Sequence, residues 1–509
     1  MAPSHGALDA LLMTNFSLDS CLSGWKRRRE VEAEEDATMQ SLLDLIQNQK
    51  EAMASPRKKR KSRKKGTSAR MFVMDSATGK PRIGTPEDCV WWVNHVTHPE
   101  NMTARMHHKF RRRFRMPFKL WQELVEMMNQ HIIFRPWHRG NKDCFGSPCS
   151  PIELLSLAAL RYIGRKCTFD DMEEVTFISE RTHERFFKMF IKYGAEHLYP
   201  KYVVSPANVD EAISHMHEMS LAGFNGGIGS MDATHVTIEN CRYGLRQIHL
   251  GHKLSKTART YNIIANHRRH ILSSTAGHPS RWNDKTLVLF DEFVQKIRSG
   301  EVLSDNEFLL FERVEGGGIV SVKYKGVWLL VDNGYLQWSC TIPPFKYCGD
   351  RSELRWSQWL ESMRKDVECT FGILKKRFQI LQKGVQAHDL EDADRVWKTC
   401  CAFHNMLLVA DGYDELWEGE IPSDPASGET DTFAIQRLFD EGTSRQIQTQ
   451  ADGNPNQNWA SDVTSSGIIR KVNQMEMNDM RDKLVQHFDI LFHKGGIVWP
   501  KRVKRPRCS

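Results

Sequence analysis

The spacing of apolar residues divides the chain into a helical part, a strand-rich part and two further helices. Between residues 150 and 193, apolar positions recur every three or four residues in three successive segments, which is the period of amphipathic helices. From Gly226 to about Tyr335, apolar and alternating runs typical of strands outnumber helical ones. One long helix is predicted from Trp356 to about Leu381 and another from near Met475 to His493. The pattern predicts an α/β domain over residues 222–410, preceded by a small all-α unit.

The three short helices carry start signals. Ser150 as N-cap, Pro151 at the first helical position and Glu153 three residues after the cap predict a capping box, and Gly164 is expected to end that helix. The second helix is predicted to begin at Thr168 and the third at Ser179.

The third helix combines an apolar and a cationic stripe. Its predicted inward face consists of Phe186, Phe187, Phe190 and Ile191. Its cations recur at i, i+4, i+7 and i+11, and they are Arg181, Arg185, Lys188 and Lys192. A helix-turn-helix presents such an arrangement to a DNA duplex, so we predict a helical DNA-binding domain over residues 100–205. An ordinary amphipathic helix with a solvated basic face is the alternative.

Positive charge is concentrated in a few segments, although the formal net charge is only +8. Residues 1–85 contain few aromatics and are predicted to form a disordered basic tail. Eight of the nine residues after Pro56 are cations, and we interpret this run as a nuclear import signal or, alternatively, a nonspecific DNA-binding arm. The core of that signal is Arg57, Lys58, Lys59, Arg60 and Lys61. The expected localisation is therefore the nucleus.

A second basic cluster is interleaved with aromatics. Phe110 and Phe114 can anchor it to a folded domain, so it is predicted to contact DNA phosphates or, alternatively, to be a solvated helix face. Its cations are Arg105, Lys109, Arg111, Arg112, Arg113 and Arg115, of which the three consecutive arginines are the strongest candidates. Residues 411–466 are polar and predicted to be a flexible linker, and residues 467–509 a C-terminal helix and basic tail.

Several classes of protein are not expected. The N-terminus lacks the charged and apolar regions of a secretory signal, and no run of about 18 apolar residues predicts a membrane span. The twelve cysteines are scattered, with no paired CxxC spacing, and are expected to be reduced thiols. Gly316, Gly317 and Gly318 lack the lysine and hydroxyl of a nucleotide-binding loop and predict a hairpin turn.

Three acidic residues are candidates for a shared metal site. Asp232 follows a short apolar run and Asp332 closes the run VWLLV, so each carboxylate is predicted to emerge at the end of a buried strand. Glu368 lies at the edge of the apolar stripe of the long helix, about 100° from Val367. Asp366 lies about 200° round the helix from Glu368 and is not expected to serve the same site.

Carboxylates suit this chemistry because Mg²⁺ prefers oxygen ligands and keeps several waters. Two such ions, about 3.5 to 4 Å apart, can activate a nucleophile and stabilise a leaving oxygen in phosphodiester cleavage. The cations that flank Glu368 on the same helix favour a polyphosphate substrate, and they are Arg364, Lys365, Lys375, Lys376 and Arg377. Acidic residues at strand ends and on helices are also common in proteins without metals, which is the structural alternative. Gly372, one turn beyond Glu368, indicates either a passing DNA strand or helix packing.

The sequence around these acids resembles the PIF/Harbinger family of DDE transposases. The resemblance rests on GSMDATHV around Asp232, VDNGY around Asp332 and VECTFGILKKRFQIL around Glu368, with 35 residues between the last two acids. Further similar blocks are NHRRHILS, GHPSRWNDKTL, AFHNMLL and the final GGIVWP. The similarity spans roughly residues 110 to 410 and the last helix.

The resemblance to this family implies a ribonuclease-H-like catalytic core, with a mixed sheet flanked by helices, and implies that Asp232, Asp332 and Glu368 are the catalytic and metal-binding triad. It also implies dependence on Mg²⁺ or Mn²⁺, cleavage of double-stranded DNA at terminal inverted repeats, and joining of the freed 3′-hydroxyl to a target site. The implied partners are a Myb-like accessory DNA-binding protein and further copies of the chain, without a membrane.

Two functions from different classes follow from these features. The first is an active metal-dependent endonuclease or transposase. The second is a domesticated DNA-binding or regulatory protein that keeps the fold without nuclease activity, and the intact set of acids counts against it. A metal-dependent phosphatase or repair nuclease has little support.

Overall fold

The computed structural model describes residues 71–142, 146, 148–251, 256–420 and 466–501. The predicted nuclear import signal at residues 57–61 lies outside the described residues, as do residues 421–465 of the predicted linker and residues 502–509 of the basic tail. Nine cysteines in the described part are free thiols.

The first described segment forms a hairpin and two helices. Strands β1 (Phe72–Met74) and β2 (Pro81–Ile83) pair antiparallel. Short helical turns lead from there to helix α1 (Ala104–Phe114) and helix α2 (Phe118–Gln130). Phe110 and Phe114 are buried, so these aromatics anchor α1 as the sequence predicts.

Three helices follow where the apolar period predicts them. They are α3 (Ile152–Arg165), α4 (Phe169–Thr176) and α5 (Glu180–Tyr193). The predicted starts at Thr168 and Ser179 are confirmed, and Thr168 forms a capping box with Asp171.

The capping box predicted at the start of α3 is wrong. Pro151, not Ser150, is the N-cap, and no side chain caps this end. The reason is that the Glu153 carboxylate accepts a hydrogen bond from Arg139 Nε at 2.7 Å instead of turning back to the cap. Gly164 does not end the helix, which continues to Arg165 before Lys166 adopts a left-handed conformation.

The strand-rich part contains a mixed sheet and a separate hairpin. Its strands are β3 (Gly227–Glu239), β4 (Ala258–Ala265), β5 (Ile271–Ser274), β6 (His278–Pro279), β7 (Glu307–Arg313), β8 (Ile319–Lys325), β9 (Trp328–Leu330), β10 (Thr341–Ile342) and β11 (Val385–Gln386). The order in the sheet is β10-β9-β3-β4-β5, with β11 beside β3 and β6 beside β4. Strands β3, β4 and β5 are antiparallel, whereas β9 runs parallel to β3 and β10 parallel to β9. Strands β7 and β8 form the hairpin expected around the three glycines.

Helices flank this sheet, so the predicted mixed α/β class is confirmed. They are α6 (Val209–Leu221), α7 (Asp284–Val288), α8 (Glu292–Arg298), α9 (Arg351–Arg377), α10 (Gln379–Lys383), α11 (Leu390–Ala410) and α12 (Ser466–His493). Helices α6 and α9 contact β3, and α11 contacts β5. The last strands, β12 (Glu418–Glu420) and β13 (Trp499–Lys501), pair antiparallel.

Helix α9 is buried against two apolar clusters. Its first half packs through Trp356, Leu360 and Met363 against buried residues of α12. Its second half, from Val367 to Leu374, belongs to a cluster that also contains residues of α1, α5 and the sheet. The predicted apolar stripe of this helix is therefore confirmed, and the all-α unit shares its core with the sheet. Within the described ranges, no helix is long and apolar enough to cross a membrane.

Candidate active site

Asp232 and Asp332 emerge side by side from parallel strands. Ser230 of β3 is paired with Leu330 of β9. Asp232 lies two residues after Ser230, and Asp332 lies two residues after Leu330, so both aspartates follow the same end of the β3–β9 ladder. Side chains two residues apart on a strand point to the same face of the sheet. The register therefore brings together two of the three acids predicted from the sequence.

The prediction that Asp232 lies at a strand tip is wrong. Strand β3 continues to Glu239, and Asp232 is paired across the antiparallel ladder with Ile263 of β4. The polar and apolar residues after Asp232 alternate, and this alternation sustains pairing with β4. Only the neighbour on the other side, β9, ends at Leu330. The opening at Asp232 is thus created by a short neighbouring strand.

Glycine at position 229 permits the close strand approach that precedes the site. A Cβ atom there would lie 2.7 Å from the backbone oxygen of Ala265 on β4. The β3–β9 register also shifts between Gly227 and Gly229. A larger residue would push β4 away and displace the segment that carries Asp232.

Backbone amides orient both carboxylates. Asp232 Oδ1 accepts a hydrogen bond from its neighbour Ala233 N at 2.8 Å. Asp332 Oδ1 accepts from Gly334 N, also at 2.8 Å. The other carboxylate oxygen of each aspartate, Oδ2, takes no part in this hydrogen bond.

Burial and neighbouring acids raise the pKa of Asp232 from 3.8 to about 6. Burial is the largest cause, because it disfavours the charged form. The Ala233 amide and the Arg364 guanidinium lower the pKa, while the negative charges of Asp332 and Asp284 raise it. The repulsion indicates that three carboxylates lie close enough to interact.

Asp284 was not among the residues predicted from the sequence. A Cβ atom at Gly334 would lie 2.9 Å from both Asp284 Oδ2 and Asp332 Oδ1, so these two oxygens flank the same glycine. Asp284 is the first residue of α7, directly after the N-cap Asn283. An acid in the first turn of a helix is common because it stabilises the helix dipole, so local sequence gave no reason to assign it to a site.

Glu368 is linked to Asp232 through Arg364. The Glu368 side chain is 51% exposed, and its Oε1 lies 3.1 Å from Arg364 Nη2. Arg364 Nη1 lies 3.7 Å from Asp232 Oδ2, and Nη2 lies 3.0 Å from Glu361 Oε2. One guanidinium thus connects the acid on the helix with the acid on the sheet. The sequence identified Arg364 only as a flanking cation.

Asp366 belongs to a different network, as the helical geometry predicts. It is buried, its Oδ2 contacts His267 Nδ1, and its Oδ1 lies 3.4 Å from Arg269 Nη2. This network joins α9 to the turn between β4 and β5, away from Glu368.

The cations at the end of α9 have different environments. Lys375 is half-buried and donates a hydrogen bond to Thr234 Oγ1 at 2.7 Å, two residues from Asp232. Lys376 is exposed, and Arg377 is half-buried with Nη1 3.5 Å from His404 Nδ1. Gly372 faces open space, with nothing within 4 Å of an added Cβ, so helix packing does not explain this glycine.

The predicted basic clusters of α1 and α9 meet in one cleft of about 440 Å³. The basic side chains that line this basic cleft are His108, Arg111, Arg112, Arg115, Lys376 and Arg377. Arg113 is exposed but does not line it. The contact between segments more than 250 residues apart is a tertiary feature that local sequence could not indicate.

The cations of α5 lie on a separate surface. Arg181, Arg185 and Lys188 are exposed, and Arg185 lies 5.5 Å from the centre of the Trp137 ring. Lys192 Nζ lies 4.0 Å from Glu196 Oε2. The basic stripe on this helix therefore exists, while its role in DNA binding stays a prediction.

The acids fit a hard divalent cation in their donor chemistry. They offer carboxylate oxygens, and the repulsion that raises the Asp232 pKa is of the kind that a bound cation relieves. In the conformation of the described residues, no group of three or more His, Cys, Asp or Glu side chains is close enough to share an ion. Asp232 and Asp332 are adjacent, whereas Glu368 would have to break its ion pair with Arg364 before it could bind the ion.

Comparison with known proteins identifies similarity over the part of the chain that holds all four acids. Residues 200–415 match the family model described as "Plant transposon protein". Neither the curated proteins nor the solved structures gave a match. The matched region includes the mixed sheet, α9 and α11. This similarity supports a transposon-derived protein.

Proposed function

We propose that the protein is a metal-dependent DNA endonuclease of the transposase type, with Asp232, Asp332 and Glu368 as its catalytic acids. The observation that carries this proposal is the β3–β9 register, which aligns Asp232 with Asp332 beside the helix that carries Glu368. Similarity to plant transposon proteins over the same residues supports it. The finer assignment to the PIF/Harbinger family rests on the sequence motifs.

The proposed fold of the catalytic part is a ribonuclease-H-like core. Three antiparallel strands followed by two parallel ones, with α9 across the sheet, support this proposal. In such a core the acids are held on rigid elements, which fixes their geometry better than loops would.

The side chains have distinct roles in the proposed reaction. Asp232 and Asp332 would hold Mg²⁺ or Mn²⁺, with Glu368 as a further ligand and Asp284 as a nearby acid. When bound, a pair of such ions supplies an activated nucleophile and stabilises the leaving oxygen. Gly334 N and Ala233 N orient the two aspartates. Arg364, once released from Glu368, would present its guanidinium to a DNA phosphate.

The test is cleavage of DNA that carries the sequences flanking the gene, with Mg²⁺ or Mn²⁺ as the only divalent cation. We expect the wild-type protein to cut this DNA and chelation to stop the reaction. Asp332→Asn should abolish cleavage, because an amide oxygen binds a divalent cation far more weakly than a carboxylate.

Asp210→Asn is the matched control, since Asp210 is exposed on α6 and distant in sequence from every acid of the site. It should cleave as the wild type does. Metal-dependent cleavage that persists in Asp332→Asn would contradict the proposed site.

The second candidate function is a DNA-binding protein without nuclease activity. It is favoured by one observation, namely that Arg364 lies within ion-pair distance of both Asp232 and Glu368, so a protein side chain partly balances the charge of these acids. This alternative predicts that a cellular phenotype of the gene is unchanged by Asp232→Ala but lost when the cations of α5 are removed.

The remaining expectations belong to the same proposal. A nuclear protein that acts on double-stranded terminal repeats and target DNA would use the import signal at residues 57–61, and a Myb-like accessory protein and further copies of the chain would assist it. Co-purification of the protein with DNA that ends in the terminal repeats tests the DNA partner. The mass of the resulting complex tests whether an accessory protein and further copies of the chain are present.

A further inference from the structure

The basic cleft lies on the same side of α9 as Glu368. Exposed positions on this helix recur at Lys365, Glu368, Gly372 and Lys376, in steps of three and four residues. Residues at such steps form one stripe along a helix. The stripe therefore leads from the acid to the cleft across the open surface at Gly372.

Positive charge in the basic cleft exceeds the negative charge that contacts it. Arg111 forms an ion pair with Asp411 at 2.5 Å, and Asp411 is nearly buried. Arg115 Nε is buried and has no hydrogen-bond partner among the described residues. The exposed Arg112 and Lys376 form no ion pair in the described part of the chain. Unpaired cations in a concave surface attract a polyanion.

The electrostatics of Arg377 support this interpretation. Burial lowers the pKa of its guanidinium, and the positive charges of Arg111 and Arg115 lower it further, although Asp411 opposes them. These cations lie close together where α1 and α9 line the same cleft. A bound phosphate would relieve their repulsion.

We propose that the basic cleft binds the sugar–phosphate backbone of the substrate DNA roughly three to four base steps from the phosphodiester at the carboxylates. This inference rests on the proposed function. Glu368 and Lys376 are eight residues apart, which is about 12 Å along a helix that rises about 1.5 Å per residue. A duplex advances about 3.4 Å per base step, which gives the stated register.

A second cleft extends the proposed path. It has a volume of about 620 Å³, shares His108 and Arg111 with the basic cleft, and is also lined by Lys119 and Gln122. The backbone can therefore continue along α1 and onto the start of α2 after it leaves α9. Hydrogen-bond donors on both sides of Arg111 suit an extended polyanion better than a single small anion.

The test is the affinity of the full chain for a fluorescent duplex of arbitrary sequence at several salt concentrations. Arg112→Ala with Lys376→Ala removes two exposed cations from the basic cleft without touching the core. Each phosphate contact contributes about 0.9 to the slope of log affinity against log salt, so the slope should fall by about 1.8 and affinity in 0.1 M salt by roughly sixtyfold.

The matched control is Lys296→Ala with Lys323→Ala, which removes the same charge from two exposed lysines outside the cleft. It should retain nearly full affinity. Equal losses in the two double variants would overturn the inference, because they would show only an effect of net charge. Unchanged binding by the cleft variant would also overturn it, even if Asp332→Asn abolished cleavage and so supported the proposed function.

A methylphosphonate at a single position of the DNA that the protein cleaves tests the register. Neutralising one phosphate at a time should weaken wild-type binding most at three to four steps from the cleaved bond, and this effect should disappear in the cleft variant. A maximum elsewhere, or one that persists in the cleft variant, would contradict the proposed path.

Discussion

The carboxyl group of Asp232 is ionisable, yet it is held in a position where burial and two other acids disfavour its charge. Its side chain is 22% exposed, and its pKa is raised from 3.8 to about 6. Such a residue costs stability at neutral pH, and proteins retain this kind of cost at functional sites. The single guanidinium of Arg364 relieves it only in part.

Replacing Asp232 should stabilise the metal-free protein. A carboxyl with a raised pKa binds its proton more tightly in the folded state, so its cost grows as pH rises from 3.8 to about 6 and is complete above that. At pH 7.5 and in the presence of a chelator, the free energy of unfolding of Asp232→Asn, measured with denaturant, should exceed that of the wild type by up to about 3 kcal/mol. The reason is that each pKa unit corresponds to about 1.4 kcal/mol.

The gain should vanish below pH 4, where both states of the wild type are protonated. Asp210→Asn serves as the exposed control and should change little. A variant that is less stable than the wild type at pH 7.5 would show that Asp232 is held by favourable contacts and would contradict this account.

Local sequence patterns indicated the candidate site residues, and their roles stay a prediction, while the β3–β9 register places Asp232 beside Asp332. Asp232, Asp332 and Glu368 stand out because each follows an apolar run or stripe. Asp284 and Arg364 were not predicted as members of the site, because their sequence contexts match those of ordinary helix-start acids and surface cations. Only the packing of α7 and α9 against β3 and β9 distinguishes them.

At the scale of elements, α9 determines the arrangement of both the acids and the basic cleft. The sequence predicted its apolar stripe but not its first turn, because residues 351–355 are polar apart from the exposed Leu354. That turn is capped by Asp350, whose side chain accepts from Glu353 N. The predicted end near Leu381 was also wrong. The helix stops at Arg377 because the buried Phe378 adopts a nonhelical conformation, with φ −110° and ψ 87°.

Gly372 offers a test of why this helix keeps a glycine. Gly372→Ala should raise the free energy of unfolding by about 1 kcal/mol, because alanine favours a helix interior over glycine and the added methyl group meets no neighbour. Thermal and denaturant unfolding measure this change. A loss of stability would show that the position is strained.

A bulky residue at the same position tests the path of the DNA. Gly372→Trp should fold as well as Gly372→Ala, because the side chain points into open space, but it should weaken duplex binding by at least about tenfold if a strand crosses here. Equal affinities for the two variants would mean that the DNA follows another route.

At the scale of the whole molecule, distant segments share cores that composition alone does not reveal. The mixed sheet with flanking helices was predictable because strand-like and helix-like periods alternate in residues 222–410. The joint core of α1, α5 and the sheet was not, since it depends on which apolar faces meet. The same holds for α12, which packs against α9 although residues 421–465 separate it from the described part before it.

The number of buried histidines predicts sensitivity to acid. Burial lowers the pKa to about 4 in His95, His183, His215, His249 and His278, and to about 3 in His404 and His487. An unfolded histidine has a pKa near 6.5, so the unfolded state gains protons first and stability is lost as pH falls from 6.5 to about 4. Denaturant unfolding at several pH values should show a steep decline in this window.

His183→Gln should reduce that decline by up to about 3 kcal/mol, because one buried site no longer titrates and each pKa unit corresponds to about 1.4 kcal/mol. The exposed His107→Gln is the control. A pH profile that is the same in both variants as in the wild type would contradict the assignment of acid sensitivity to the buried histidines.

Helix α12 should contribute to stability through its packing against α9. Leu484 is fully buried in the cluster that supports the first half of α9. Leu484→Ala should lower the free energy of unfolding by about 2 to 5 kcal/mol, as expected for a buried leucine. Stability equal to that of the wild type would contradict this packing role.

Because α12 packs against α9, α9 can reach its final packing only after α12 has been synthesised. Domains usually fold from the N-terminus while the ribosome is still adding residues. Here the helix that carries Glu368 lacks its partner until residues near 491 have been translated and have left the exit tunnel. A nascent chain therefore holds its aspartates long before it can assemble the full set of acids, and any cutting activity would be delayed until α12 has been synthesised and has packed on α9.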